Sequence, residues 1–247
     1  MRAHQRWATA LLTASAIAVC TAGCSAFPDI PAKKYAAAPT SGPAVDTPWL
    51  HRVAEPLVAP APVKGEAAKI FGREAMEAAY AETVAFASDT TFDEMLLVPS
   101  PYRGKQQFLT EVSRMTAGMA EDYNAIVDAA WDGDQDAVQT VFAHRFFFDD
   151  DPDYMVQATG PLVLDHVIED PHLFVERGPD REQPGVSFTQ RGDVRMRVAG
   201  EDVLVRFIKT ATYGLAPAPS GDSLRWRIDD CALEWTAAEP VPVTGTY

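Results

Sequence analysis

The sequence predicts an α+β fold in which N-terminal helices, including one long helix, pack on a curved antiparallel sheet. Two observations carry this prediction. Apolar residues recur at helical spacing from Gly65 to Trp131, and β-rich segments with alternating apolar residues follow as far as Trp235. Helices followed by a run of strands are typical of α+β domains, whereas α/β domains alternate the two. The composition, 47% hydrophobic and 23% charged, is that of a globular chain.

Three helical segments are predicted before the strands. The first runs from Gly65 to about Ala87, and the spacing of Thr91 and Glu94 predicts a capped turn after it. The longest runs from about Gly104 to Trp131. Its stripe of apolar residues recurs in steps of three and four: Phe108, Val112, Met115, Met119, Tyr123, Ile126 and Ala130.

Residues 137–148 fit two descriptions. Val138, Val141 and Phe142 have helical spacing, while the richness in Val, Thr and Phe favours a strand. We predict a strand, because these residue types prefer extended structure.

The remaining chain predicts antiparallel strands. They cover residues 162–168, 186–198, 203–213 and 224–235, with a turn at Gly200 and Glu201. In the last strand the inward positions shift by one residue between Ile228 and Cys231. This shift predicts a β-bulge near Asp229 and Asp230.

Residues 1–23 predict a signal peptide. Arg2 and Arg6 precede an apolar run over residues 8–19, and small residues follow it. The run is shorter than the roughly 20 apolar residues that a membrane-spanning helix needs.

The segment Thr21-Ala22-Gly23-Cys24 resembles the lipobox of bacterial lipoproteins, although that family usually has Leu, Val or Ile where Thr21 stands. The resemblance implies a diacylglycerol on Cys24, further acylation such as palmitate, and cleavage before this cysteine. The expected location is then the outer face of the cytoplasmic membrane. The alternative is cleavage after Ala26, which would release a secreted protein.

Residues 24–64 predict a Pro/Ala-rich tether, because eight prolines interrupt regular structure. Trp49 and Leu50 are exceptions that we expect to dock on the domain. The globular domain is predicted over residues 65–238 and a loose tail over residues 239–247. If Cys24 is acylated, Cys231 has no partner for a disulfide, so the domain must depend on its hydrophobic core.

The formal charge of −14 argues against nucleic acid as a partner, because phosphate binding needs a basic surface. Two acidic runs are candidate cation sites. Asp132, Asp134 and Asp136 have calcium-loop spacing, but Ala137 and Ala143 stand where an EF-hand needs Gly and Glu. We therefore favour solvated loops here and at residues 149–153, and predict neither metal nor cofactor.

The order and size of the elements are similar to those of cystatin-like and NTF2-like domains, in which a curved sheet wraps a helix. Such folds serve enzymes, ligand carriers and scaffolds alike. In an NTF2-like enzyme, His144 could act as general base with Asp229 or Asp230. The sequence contains no nucleophile elbow, His-Glu-x-x-His or Cys-x-x-Cys motif.

The last strands concentrate arginines. Arg195 and Arg197 share one face, as do Arg225 and Arg227, and these four are the candidate binding residues for an anionic ligand or an acidic partner. The sequence thus favours a non-enzymatic envelope lipoprotein that binds a protein partner or a small ligand. The alternatives are the enzyme based on His144 and a cation-binding surface protein.

Overall fold

The structure, a computed structural model, describes residues 53–97, 104–147, 154–156, 162–178, 181–198 and 201–243. Within them, helices come first and a mostly antiparallel sheet follows, so the predicted α+β class is confirmed. Several predicted features lie outside the described residues: the signal peptide, Cys24, Trp49, Leu50 and the acidic run at residues 149–153.

Five helices are described. They are α1 (Glu66–Phe71), α2 (Arg73–Thr91), α3 (Glu94–Leu97), α4 (Ala117–Trp131) and α5 (Gln135–His144). The single helix predicted from Gly65 is two helices, because Gly72 has a φ of 90° and interrupts it. Such a left-handed conformation suits glycine, which lacks a Cβ.

The predicted turn after α2 is present as α3, but its cap differs from the prediction. Asp93 accepts a hydrogen bond from the backbone N–H of Met95 at 2.9 Å. Thr91 is instead the last residue of α2, and its hydroxyl faces the interior.

The helix predicted from Gly104 begins later, at Ala117. Two short 3₁₀ turns, Lys105–Leu109 and Val112–Arg114, occupy the first part of its range. Just before α4 the backbone pairs with the sheet, since the N–H of Thr116 donates to the carbonyl of Ile228 at 2.8 Å. The hydroxyl of Thr116 then caps α4. Pairing with the sheet and this cap explain why the apolar periodicity overstated the helix.

The prediction of a strand at residues 137–148 is wrong, because α5 covers most of that range. Asp134 caps α5 by accepting from the N–H of Ala137 at 3.0 Å. The helix then buries Val141 and Phe142 in the core. The cap and the tertiary packing override the β propensity of these residues. Phe146 and Phe147 follow outside regular secondary structure and are also buried.

The described strands are β1 (Leu57–Val58), β2 (Tyr154–Val156), β3 (Val163–Arg177), β4 (Glu182–Val198), β5 (Glu201–Pro217), β6 (Trp226–Ala237) and β7 (Val241–Pro242). They form one sheet in the order β1-β3-β4-β5-β6, with β2 paired to β4 and β7 paired to β5. All these strand pairs are antiparallel except β1 with β3.

The predicted bulge in the last strand is confirmed. Gly214 of β5 pairs with Asp230, whereas the next residue, Leu215, pairs with Ile228. Asp229 is therefore the extra residue. The bulge keeps apolar side chains pointing inward on both sides of it.

Both ends of the described domain reach further than predicted. The tether was expected to continue to residue 64, but Val53 bridges to Val163 and β1 pairs with β3. The tail was expected to be loose, but β7 pairs with β5. These short segments join sheet edges, where a strand needs to pair on one side only and proline is tolerated.

The sheet presents two faces. The helix-covered face holds alternate residues of the two longest strands, and nearly all of them are buried: Val186, Phe188, Gln190, Val194, Met196, Val203, Val205, Phe207, Lys209, Ala211, Tyr213 and Leu215. The outer face holds the residues between them, which include Ser, Thr and most of the strand arginines. The core therefore lies between the helices and the helix-covered face.

Candidate functional site

Aromatic rings fill the part of the interior between α5 and the sheet. Phe146 is 1% exposed, and its ring centroid lies 5.3 Å from that of Phe92 and 5.0 Å from that of Phe207. Phe142 packs on Trp235 at 4.6 Å. Ring pairs at these separations are in direct contact, so side chains occupy this region.

A group of polar residues lies among these rings, and we call it the interior polar cluster: Thr91, His144, Arg145, Lys209 and Cys231. His144 ends α5, and its Nε2 lies 3.7 Å from the thiol of Cys231. The pKa of His144 is lowered to about 3, mainly by burial and also by the positive charges of Lys209 and Arg145. At neutral pH the ring is uncharged and a poor general base.

The carboxylates expected beside His144 lie elsewhere. Asp229 is 3.5 Å from Arg181. Asp230 accepts a hydrogen bond from the N–H of Gly214 at 3.1 Å. Successive strand residues point to opposite faces, so Asp230 points away from the face to which Cys231 contributes its thiol. The predicted histidine–carboxylate pair is therefore replaced by a histidine–thiol pair.

Asp230 has an unusual environment on the outer face. Its pKa is raised to about 6, mainly by burial and also by the neighbouring carboxylate of Glu176. Both carboxylates lie over Gly214, where a Cβ would come within 2.4 Å of a Glu176 oxygen and 2.7 Å of an Asp230 oxygen. A second carboxylate this close disfavours the charged form of Asp230.

Sequence reasoning missed the two buried cations of the cluster. The ammonium of Lys209 donates to the hydroxyl of Thr91 at 2.9 Å and to the carbonyl of His144 at 3.2 Å. Burial is the main reason why the pKa of Lys209 falls to about 7. Arg145 is 2% exposed and donates to Asp93 at 3.1 Å. Lys209 did give a signal, because it stands at an inward position between Phe207 and Ala211.

The remaining groups of this region are held in their neutral forms. Burial raises the pKa of the Cys231 thiol to about 12, so it stays protonated at neutral pH. Burial also raises the pKa of Tyr123 to about 12 and that of Tyr213 well above its usual value. A protonated thiol is a weak nucleophile. The cluster is thus a buried hydrogen-bonding network whose groups face side chains of the core.

A second buried group of polar residues consists of His166 and Gln190. It connects the backbone at Ala54 to helix α2. Nδ1 of His166 lies 3.0 Å from the carbonyl of Ala54, and its Nε2 lies 2.8 Å from the side-chain amide of Gln190. That amide also donates to the carbonyl of Ala87 in α2 at 3.4 Å. Since a carbonyl can only accept, Nδ1 carries the proton and Nε2 accepts from Gln190.

The structure places Arg195 and Arg197 on the outer face near the β4–β5 hairpin. Arg197 donates to Asp202 at 2.9 Å. Nε of Arg195 is buried and has no hydrogen-bond partner among the described residues. Two further arginines of this face are paired in the same way, Arg191 with Glu169 and Arg206 with Asp193.

Arg225 and Arg227 lie at the far end of the sheet. Arg195 pairs with Leu204 and Arg227 with Ala216, positions about 40 Å apart along β5 at the usual rise per residue. Arg227 binds Asp222 and donates to the carbonyl of Met115 at 3.1 Å. The four candidate arginines therefore form two separate pairs.

The acidic loop before α5 has a structural explanation. Asp134 uses a side-chain oxygen to cap this helix. In the part of the chain that the structure describes, no three His, Cys, Asp or Glu residues are grouped as metal ligands would be.

Comparison with protein-family models, with curated proteins and with solved structures finds no significant match for this chain. The described helices include none that is long and apolar enough to span a membrane.

Proposed function

We propose that this chain is an exported lipoprotein, anchored through Cys24 to the outer face of the cytoplasmic membrane, whose α+β domain binds a partner and does not catalyse a reaction. The observation that carries the anchor is the succession of a basic segment, an apolar run and Thr21-Ala22-Gly23-Cys24. The described domain begins by Val53, so residues 25–52 would connect the lipid to it. Two acyl chains would hold such a protein durably, at about 0.8 kcal/mol for each buried CH₂.

Metabolic labelling with a fatty acid tests the anchor. The wild-type chain should take up label and sediment with membranes, and Cys24→Ala should lose both properties. Cys231→Ala is the matched control, since its thiol is buried in the domain and should not affect labelling. Label that persists in Cys24→Ala, or a wild-type protein that takes up none, would contradict the proposal.

The outer face near Arg195 and Arg197 is the surface that we propose for binding. Within an otherwise acidic protein, it carries four arginines on adjacent strands: Arg191, Arg195, Arg197 and Arg206. Guanidinium groups suit carboxylate or phosphate partners, which they bind through paired hydrogen bonds. We therefore propose an envelope protein or small ligand with an acidic surface as the partner.

Charge reversal tests this surface. Arg195→Glu with Arg197→Glu should abolish retention of the partner when the protein is crosslinked in its own membrane and purified. Arg225→Glu is the control for Arg195→Glu alone, which changes the net charge by the same amount, because the side chain of Arg225 is exposed at the far end of the sheet. Equal loss with these two single variants would indicate an effect of net charge alone and would contradict a local binding site.

The alternatives have less support. An NTF2-like enzyme that uses His144 as base needs a carboxylate beside the ring, and the group that approaches the ring is the Cys231 thiol. A cation-binding protein that uses the Asp132–Asp136 loop needs free carboxylates, and Asp134 is engaged in capping α5.

A further inference from the structure

Residues 53–59, which we call the strap, form the edge of the sheet beside β3. Val53 bridges to Val163, and the N–H of Ala54 donates to the carbonyl of Val163 at 3.4 Å. The regular pairing beyond this bridge is short. Two residues, Leu57 and Val58, pair in parallel with β3, and Ala59 donates to the carbonyl of Ile168 at 2.9 Å. The side chain of Leu57 is 73% exposed. Parallel pairing is somewhat less stable per residue than antiparallel pairing, which favours release of β1. Release of the whole strap would also withdraw Val53, which packs against the core.

Two side chains nevertheless fix the position of the strap. Tyr80 of α2 donates to the carbonyl of Ala59 at 2.7 Å, and His166 contacts the carbonyl of Ala54. His166 reaches the strap because β3 bulges there. The pairing with β4 shifts between Leu164 and Val167, and Asp165 has a φ of 47°. A non-glycine residue in this conformation is uncommon, so the local structure is specialised for placing His166.

The segment that joins the strap to α1 is folded through two very tight turns. The N–H of Val63 donates to the carbonyl of Ala61, and that of Lys64 donates to the carbonyl of Pro62. Each bond spans three residues, which is the pattern of a γ-turn. Residues 60–65 could extend to about 20 Å if these turns opened. A short hinge favours exchange of the segment that it carries.

From these features we propose that the strap exchanges between two copies of this chain, so that the strap of each copy lies on β3 of the other. The hinge supplies the reach, and the slight pairing of β1 permits release. Tyr80 and His166 contact backbone carbonyls of the strap, and a strap from either molecule could make the same contacts. Exchange of an identical element between protomers is a low-cost route to a dimer. The inference does not depend on the lipid anchor.

Engineered cysteines test this exchange. Val58 and Ile168 are register partners, and neighbouring strands are about 4.8 Å apart, within the range that a disulfide bridges. The full-length chain with Cys20→Ser and Cys24→Ser is the background. An equal mixture of Val58→Cys and Ile168→Cys chains should give a covalent heterodimer under mild oxidation, in a yield that rises with protein concentration.

Two controls make the result decisive. Leu57→Cys mixed with Ile168→Cys reports random collision, because Leu57 is more exposed but is the partner of Val167. It should give severalfold less heterodimer. One chain carrying both Val58→Cys and Ile168→Cys should give an internal disulfide when dilute. Internal disulfide with no heterodimer above the collision control would overturn the proposal, and so would the absence of both products.

The hinge and His166 should alter the yield in different ways. Pro60→Gly with Pro62→Gly should favour the internal disulfide and reduce the heterodimer, because a flexible hinge closes more easily on its own chain. His166→Ala should reduce both products, since it removes a contact that either strap would make. A heterodimer yield unaffected by both changes would also count against exchange.

Discussion

Both faces of the sheet lie against charged side chains, which are buried on the helix-covered side and largely exposed to water on the outer face. On the helix-covered face, Lys209 is 1% exposed, and Arg145, which follows α5 and lies in the same interior region, is 2% exposed. On the outer face, the pairs of Arg191, Arg197 and Arg206 with their acidic neighbours are made by side chains that mostly remain in contact with water. The outer face has more ion pairs, yet the interior face should contribute the larger energetic effects.

The physical reason is the dielectric environment. Water screens exposed pairs, which typically contribute between 0 and about 1 kcal/mol. A buried charge loses its hydration, so removing its partner is far more costly than removing both. Burial, and not the number of ion pairs, therefore decides which substitutions matter.

The largest effect is expected at Asp93, the partner of buried Arg145. Asp93→Ala should destabilise the domain by about 3–5 kcal/mol, because it leaves a guanidinium buried without its counter-charge. Urea unfolding monitored by tryptophan fluorescence measures this. Adding Arg145→Met to Asp93→Ala should restore much of the loss. If the double variant is no more stable than Asp93→Ala, the buried charge is not the cause.

Lys209 should make stability depend on pH above neutrality. Its pKa is about 7 in the folded chain, against an ordinary value of 10.5. Between these values the unfolded chain holds a proton that the folded chain has released, so stability should increase with pH at up to about 1.4 kcal/mol per pH unit.

Lys209→Met should remove this dependence between pH 7 and 10 and stabilise the domain most at or below pH 7. Denaturant unfolding across that range provides the measurement. Lys64→Met is the control, because Lys64 is exposed and should leave the slope unchanged. A slope that persists in Lys209→Met must come from another group.

Asp230 should give the opposite slope in a lower range. Its pKa is raised from 3.8 to about 6 in the folded chain, so the folded state binds the proton more tightly. The stability that this provides is complete below pH 3.8 and is lost as the pH rises through 6. Asp230→Asn keeps an acceptor for Gly214 and should therefore be more stable than wild type at pH 8, with little difference at pH 4. Thermal unfolding at both values tests this, and equal effects at both would exclude the titration.

The smallest effect is expected for an exposed pair. Arg197→Gln removes the pair with Asp202, whose side chains are 54% and 40% exposed, and should cost less than about 1 kcal/mol. A loss as large as that of Asp93→Ala would show that the outer face is covered, and the comparison between the two faces would fail.

Much of the fold was predictable from local patterns. The helices and strands were found because their apolar residues repeat with the period of the element. The bulge at Asp229 was predicted because the inward positions shift by one residue there. In a strand such a shift has few other structural explanations. Errors arose where a tertiary contact outweighed the local pattern, as at residues 137–148 and before Ala117.

The candidate site was much less predictable. His144 was singled out for its chemistry, but the neighbour that defines its behaviour, Cys231, comes from β6. Lys209 could have been noticed as a lysine at an inward position, although nothing in its local sequence names Thr91 as a partner 118 residues away. Arg195 and Arg227 were both candidate binding residues in the sequence. They pair with distant positions of β5, so they lie at opposite ends of the sheet.

The sequence by itself determined the class of the fold and the position of the bulge, because each depends on a short-range pattern. The signal peptide over residues 1–23 stays a prediction. The tertiary structure decided which charges are buried, where the strap attaches and which arginines can act together. These properties depend on contacts between residues far apart in the chain, and the free energy of such a contact is set by the surroundings that the whole fold provides.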